Sequence, residues 1–559
     1  MSISQEPVLS TIEALDDFEL IAADADAGDV TALDQCIYAF GDGYADGTGR
    51  MTEKLGGKGA GLAEMTNLGV PVPAGFTIAC DACDDYLANG AMPQAVRDGL
   101  PEAIKRVERS TGRRFGDPTD PLLVSVRSGA AVSMPGMLET VLNLGLNDRT
   151  VIGLATRSNS RFALDSYRRF IQMYGAIVMD VPADRFESEL RAERARQGVD
   201  ADGDLTEDAL TSVITRFKAV VRDATGADVP SDPVKQLHAA IEAVWRSWTL
   251  KKAVDYRRVH AIAEAPGTAV SVVAMVFGNL DAQSGTGVAF TRNPSTGEPG
   301  LFGEFLANAQ GEDVVAGLRT PLPIAELQRR MPPVHKELVR IQQMLERHYR
   351  DMQDIEFTVE RGRLYLLQTR TGKRSPEAAI RIANDMVTEG LIAREDALLR
   401  LDPRSIETVL HAVIDSTGDV EPVCTGLPAS PGAGAGIAVF DPDTAESRAA
   451  AGEDVVLVRD ETTPEDFHGM VAARAIVTAR GGMTSHAAVV ARGMGKCAVV
   501  GCHDVVVDVD SRRLTTGAAT INEGDWITVD GSTGRVFAGR LPTAPSDVTR
   551  VLMGEALPG

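Results

Sequence analysis

The sequence predicts a multidomain α/β protein, and three observations carry that expectation. The chain has 559 residues, which at about 150 residues per domain gives three to four structural units. Strand-like alternation and helical periodicity take turns along most of its length. From Gly426 the composition shifts to short Val-rich strands with many glycines, which marks a separate α/β unit.

Each segment is read in turn. Residues 1–35 are acidic and Ala/Asp-rich and form an extension ahead of the main fold. A strand at 36–40 leads into a Gly-rich loop, LGGKGAGLAEM (55–65), which then turns helical. LLVSVRS (122–128) alternates as a strand and precedes the loop SGAAVSMPGM (128–137), and residues 155–260 are mostly helical. Strands return at 269–278 and 287–293, followed by the turn-rich NPSTGEPG (293–300). A helix over 335–352 precedes DIEFTVE (354–360) and RLYLLQT (363–369), whose period-2 pattern and Arg-Gly connection predict a hairpin. These segments place one domain at 36–374, a charged helical linker at 375–425, an α/β domain with a single clear helix at 426–540, and a tail at 541–559.

Charge and cysteine content narrow the function. Lys+Arg number 56 and Asp+Glu 79, a formal net charge of −23, which argues against a general nucleic-acid binder. A few aimed cations can still hold a small anion inside an acidic protein. The N-terminus lacks a basic region followed by an apolar one, and no apolar run is long enough for a membrane span, so a cytoplasmic protein is expected. Six cysteines make no disulfide framework. Cys80 and Cys83 form a CxxC without a second pair, and read as free thiols rather than a zinc site.

The chemistry concentrates in ARGGMTSHAAVVARGMGK (479–496). A Gly-Gly turn, two good N-caps (Thr484 and Ser485) and a short helix ended by Gly493 put His486 in the first helical turn. The helix dipole there opposes an imidazolium and keeps the ring neutral and nucleophilic, while free N–H groups suit a phosphoryl group. The pattern therefore points to a covalent phosphocarrier. Elsewhere, Lys58 between glycines suits a nucleotide phosphate, although the missing Ser or Thr after it excludes a P-loop. Arg127 ends a strand beside a Gly/Ser loop, a good place for a guanidinium that grips phosphate oxygens. Glu356 and Gln368 lie on the two hairpin strands as hard oxygen donors, with Asp354 and Arg370 at period-2 spacing beside them.

These residues sit inside longer matches. GGKGAGLAEMTNLGVPVPAGFTI (56–78), VSVRSGAAVSMPGMLETVLNLGLND (124–148), SGTGVAFTRNPSTGE (284–298), NAQGEDVVAGLRTP (308–321), HYRDMQDIEFTVE (348–360), LQTRTGKR (367–374), RDETTPEDFHGM (459–470) and the His486 loop resemble the pyruvate, phosphate dikinase family. The resemblance implies an ATP-grasp-like nucleotide domain, a helical linker and a swivelling phosphohistidine domain. It makes His486 the nucleophile, with Arg127 beside it in catalysis. Lys58, Arg127, Ser284, Gly285, Thr286, Gly287, Glu312, Asp313, Asp354 and Arg370 become ATP- and phosphate-binding residues, residues 284–287 as an anion-binding loop, and Glu356 and Gln368 the metal residues. Arg168 and Arg169 are further candidates for inorganic phosphate. Thr484 matches the threonine that regulatory kinases modify in plant members.

The implied ligands are ATP, inorganic phosphate, Mg²⁺ and a monovalent cation, with no nucleic acid and no membrane. The implied reaction charges His486 from ATP through a pyrophosphohistidine, with release of AMP and pyrophosphate, before transfer to pyruvate. The family's pyruvate site lies in a TIM barrel of about 250 residues, for which too few residues follow Arg540. The expectation is therefore no TIM barrel, and an acceptor site supplied by a separate protein. The alternatives are a phosphotransferase acting on another small molecule or partner protein, and a non-catalytic phosphocarrier or regulatory remnant.

Overall fold

The computed structural model describes residues 35–132, 134, 136–199, 202–259, 262, 267–311, 321–402, 413–414, 420–517 and 519–544. The expected extension up to residue 34 lies outside them, as do Glu312 and Asp313.

The first sheet runs Ile37–Phe40, Gly75–Ile78, Ala269–Ala274, Val124–Gly129 and Thr140–Leu144 in space, and all neighbouring pairs are antiparallel. Every residue of Ala269–Ala274 is buried, which explains its unbroken apolar run AVSVVA. Helices between Thr150 and Val259 share the core of this sheet, where Phe170, Phe217 and Trp245 pack with Val126 and Val270. The first long one, Ser160–Ile177, starts where the Asn159 side chain accepts from the Phe162 N–H at 2.8 Å.

The Gly-rich stretch at 55–65 is not a loop followed by a helix, as its glycines suggest. It lies within one helix, Thr52–Asn67, interrupted at Gly56 (φ 66°, ψ 164°). A Cβ there would overlap the Gly129 carbonyl, so only glycine lets the helix touch the end of strand Val124–Gly129. The Gly57 N–H donates to the Ala130 carbonyl at 2.8 Å in the same crossing.

A second antiparallel sheet runs Leu322–Pro323, Pro299–Ala307, Gly285–Arg292, Gln353–Glu360 and Arg363–Thr371. Phe305, Ile355 and Phe357 pack beneath helix Pro332–Tyr349 through Leu338, Ile341 and Leu345. Helix Pro376–Thr388 packs on this sheet too, setting Ile382 and Met386 against Phe290 and Met352. Arg292, 1% exposed, joins that helix end to the sheet by pairing with Glu346 at 2.9 Å and Glu389 at 2.6 Å.

The C-terminal body has an eight-stranded sheet whose centre, Ala433–Val439, Val455–Arg459, Ala475–Thr478 and Cys497–Val500, is parallel. Such strands are covered on both faces and read as continuous apolar runs. Pro442–Ala450, Phe467–Ala472 and His486–Met494 are all helical, so the single helix expected here is corrected to three among the described residues. Asp441 caps the first of them, accepting from the Thr444 N–H at 2.8 Å with Pro442 at the next position. Past Arg540, Thr543–Ala544 pairs antiparallel with Val413–Ile414. None of the described sheets closes into a barrel, and no helix among the described residues is long and apolar enough to cross a membrane.

Candidate active site

One cavity of about 940 Å³ is lined by both sheets of the first body and by the histidine loop of the second. Its size falls at the upper end of the range for ligand sites. Lys58 enters it from the turn after Gly56, and Arg127 from strand Val124–Gly129. The hairpin Gln353–Glu360/Arg363–Thr371 supplies the other charges. Asp354 pairs in register with Arg370 and Glu356 with Gln368, and all four line the cavity. The predicted hairpin thus puts its four residues where the period-2 pattern places them. A bulge follows Glu356.

Electrostatics in this cluster favour an anion. Arg370 holds Asp354 Oδ2 through Nε at 2.8 Å and Nη2 at 2.7 Å, and Arg127 Nη2 stands 3.5 Å from Glu356 Oε2. Burial pushes the Glu356 carboxyl up, but Arg127, Arg370 and Lys58 outweigh it and hold it below its ordinary range. Burial, helped by Arg127 and Arg370 and opposed by Glu356, lowers Lys58 to about 7. Three cations thus face two carboxylates, and a polyphosphate would relieve their mutual repulsion. Arg127 Nε and Asp354 Oδ1 are buried without a partner among the described residues, so each cavity-lining residue keeps unused hydrogen-bonding capacity.

Across the cavity stands His486. Ser485 caps its helix, with Oγ accepting from the Ala488 N–H at 3.5 Å. The helix runs His486–Met494 and stops at Gly495 (φ 61°), two residues later than expected, because Gly493 keeps helical backbone. His486 Nδ1 lies 3.2 Å from Thr462 Oγ1. Its Nε2 is buried and has no partner among the described residues. Burial lowers the pKa of the ring against the pull of Asp466 and Glu465, so the neutral imidazole predominates at neutral pH. A proton on Nδ1 shared with Thr462 leaves the Nε2 lone pair unengaged.

Thr462 is one of two contacts that the sequence did not single out. It lies in the segment RDETTPEDFHGM, where Thr463 and Asp466 cap each other's backbone and Arg459 pairs with Asp466 at 3.2 Å. The other is Glu304, on strand Pro299–Ala307 of the first body. Its carboxylate accepts from the Met483 N–H at 2.9 Å and from the Thr484 hydroxyl at 2.8 Å. A Cβ on Gly482 would collide with that carboxylate. A lone acid in the apolar alternation LFGEFLA was the available signal, but its partners are about 180 residues away in sequence.

Other candidates separate. Thr286 and Gly287 line the cavity, but residues 285–287 are not the anion-binding loop expected. They open the central strand Gly285–Arg292, hydrogen-bonded on both sides, so their amides are committed to the sheet. Ser284 turns away, its hydroxyl donating to Asp281 Oδ1 at 2.7 Å. Arg168 and Arg169 are not in the cavity lining and pair with Asp165 at 2.7 and 3.0 Å. Glu312 and Asp313 lie outside the described residues. Cys80 and Cys83 are buried free thiols whose pKa values burial raises to about 11 and about 12, and no group of three or more His, Cys, Asp or Glu suited to a metal occurs among the described residues.

A fixed cationic mouth facing a histidine on a separate α/β body defines a class: a nucleotide-binding unit joined to a histidine-bearing carrier. Comparison with known proteins narrows it. A family described as pyruvate phosphate dikinase, AMP/ATP-binding domain matches residues 52–102, 91–329 and 326–391, and one described as PEP-utilising enzyme, mobile domain matches 451–534. The chain is 52% identical over 520 residues to the pyruvate, phosphate dikinase of Rhizobium meliloti, covering 90% of this chain and 58% of that protein. It is 51% identical to that of Clostridium symbiosum (92% and 59%) and 50% identical to chloroplastic pyruvate, phosphate dikinase 1 of Arabidopsis thaliana (91% and 53%). The chain belongs to the pyruvate, phosphate dikinase family, and it spans little more than half the length of these relatives.

Proposed function

We propose that this chain carries out the ATP- and phosphate-dependent charging of His486, the part of a dikinase reaction that ends in a phosphohistidine. The observation that carries the reading is His486, its Nε2 buried and unpartnered, lining the same cavity as Lys58, Arg127 and Arg370.

The Nε2 lone pair attacks the β-phosphorus of ATP. The bond from that phosphorus to the oxygen shared with the α-phosphate breaks, and AMP leaves with the electron pair. An oxygen of inorganic phosphate then attacks the outer phosphorus of the pyrophosphohistidine and departs as pyrophosphate, leaving one phosphoryl group on Nε2. Arg127, Arg370 and Lys58 hold the polyphosphate oxygens, where fixed cations act strongly on developing charge. Thr462 keeps the imidazole in the tautomer that attacks. Glu304 holds the Met483–Thr484 loop against the first body, and so presents the nucleophile to the nucleotide.

The hard donors Glu356 and Gln368, with the unpartnered Asp354 Oδ1 beside them, suit Mg²⁺. Mg²⁺ would neutralise polyphosphate charge there. Transfer from His486 to pyruvate is proposed with an acceptor site outside residues 35–544, in a partner protein or in further chain, and the carrier must leave the cavity to reach it. All six cysteines are free thiols, which suits a reducing cytoplasm. Thr484, 8% exposed and bonded to Glu304, would become available to a modifying kinase when the carrier undocks.

The test uses ATP labelled at the β-phosphate, with Mg²⁺, with and without inorganic phosphate. Acid-labile label on the wild type and none on His486→Ala, with AMP formed and pyrophosphate appearing when phosphate is added, is the expected result. Measurable ATP binding without label would overturn the reading.

A further inference from the structure

The short crossing from strand Arg363–Thr371 to helix Pro376–Thr388 is pinned on both sides of Lys373. The Gly372 N–H donates to the Met352 carbonyl at 2.8 Å. Arg374 grips Asp351 through two hydrogen bonds of 2.6 and 2.9 Å. The Ser375 N–H donates to the Pro294 carbonyl at 2.9 Å, and its hydroxyl to the Ser295 carbonyl at 2.8 Å. Lys373 itself makes no hydrogen bond or ion pair with a described residue.

Its side chain instead leaves the first body and lies along the histidine helix. Both Cδ and Nζ are 3.4 Å from the point a Cβ of Gly493 would occupy. With Tyr256, Phe467, Val490 and His486 it lines a second cavity of about 20 Å³ at the seam between the bodies, and the Tyr256 and Phe467 rings meet there at 5.6 Å. A half-buried ammonium against Val490 and Met494 is costly unless an anion joins it.

The charges around it say where that anion would come from. On its own body, Arg370 opposes its charge, and Asp354 is engaged by Arg370. On the carrier, the ionisable groups acting on His486 are Asp466 and Glu465, both acidic, so the carrier's own carboxylates repel an anion on the ring. Lys373, on the opposite body, lines the small seam cavity together with the ring and is a cation whose charge reaches it.

We propose that Lys373 is a positioning residue of the first transfer, its ammonium balancing the anionic group on His486 Nε2 while the two bodies are in contact. The proposal rests on the charging reaction above. It makes the balance conditional on docking: when the carrier leaves, Lys373 stays behind with its anchored neighbours, and the charged histidine travels with the carboxylates of Asp466 and Glu465 near it.

The experiment compares the wild type, Lys373→Met and Lys373→Arg in single-turnover labelling by β-labelled ATP, alongside ATP affinity by equilibrium dialysis and thermal midpoint. Lys373→Met is expected to label at least tenfold more slowly with its thermal midpoint unchanged and its ATP affinity within twofold of wild type, and Lys373→Arg to recover to within about threefold. Phosphoramidate, a small phosphoryl donor that needs no nucleotide site, should still charge His486 in all three, which shows the ring intact and accessible. Equal labelling of wild type and Lys373→Met by ATP overturns the role of Lys373 alone, as does a slow Lys373→Met that Lys373→Arg fails to rescue. A wild type that takes no label from ATP overturns the charging reaction, and the role of Lys373 with it.

Discussion

The two bodies that share the large cavity are built on opposite plans. The first gathers its charges from distant places: Lys58 behind a helix break, Arg127 on one sheet, and Asp354, Glu356, Gln368 and Arg370 on a hairpin of the other. The second concentrates Thr484, Ser485 and His486 in consecutive positions at one helix start, with Thr462 behind the ring. The phosphate grip proposed for the first body needs charges fixed in several directions, which takes two sheets. The nucleophile proposed for the second needs to be portable, and one capped helix suffices.

The contrast can be broken most severely at the portable end. His486→Ala should lose covalent labelling completely and keep ATP affinity within about twofold by equilibrium dialysis. Next comes the fixed end. Arg127→Ala should fold normally and slow the first transfer roughly 100- to 1,000-fold, the scale for one lost transition-state donor. Wild-type labelling by this variant would show that the grip does not depend on Arg127.

The seam gives a smaller effect. Glu304→Ala removes two hydrogen bonds to the histidine loop, and at about 1 kcal/mol net for each labelling by ATP should slow roughly 30-fold. Labelling by phosphoramidate should not change. Lys58 gives the gentlest test. Its pKa of about 7 in the free protein rises when a polyanion binds, so binding takes up a proton above that pH. ATP affinity should be full below about pH 7 and weaken as pH rises, by at most about tenfold per unit. Lys58→Met should flatten that slope, as isothermal titration across pH 6–9 would show.

Legibility followed the same division. The capped start at Ser485 and the hairpin pairs at 354–370 could be read because caps and period-2 alternation are local signals. What was missed turns on contacts between distant segments. The glycines at 56 and 57 look like a loop until the Gly129 carbonyl is seen to cross them. Residues 285–287 resemble an anion loop until strands on both sides claim their amides. Glu304 and Lys373 acquire meaning only when the carrier sits against them. The helix at Pro442–Ala450 is a different kind of miss. Its Asp-Pro start was a usable local signal that the Val-rich strands around it obscured.

The small pairing of Val413–Ile414 with Thr543–Ala544 bears on how such a carrier can travel. A body hung on one flexible strand can tumble over a whole sphere, and its reactive end spends little time near any chosen point. Chain entering and chain leaving the carrier are bound side by side here, and a double strand resists torsion. The surviving freedom is closer to rotation about one axis. His486 would then sweep an arc and return to the same seat, at an effective concentration far above that of a freely tethered group.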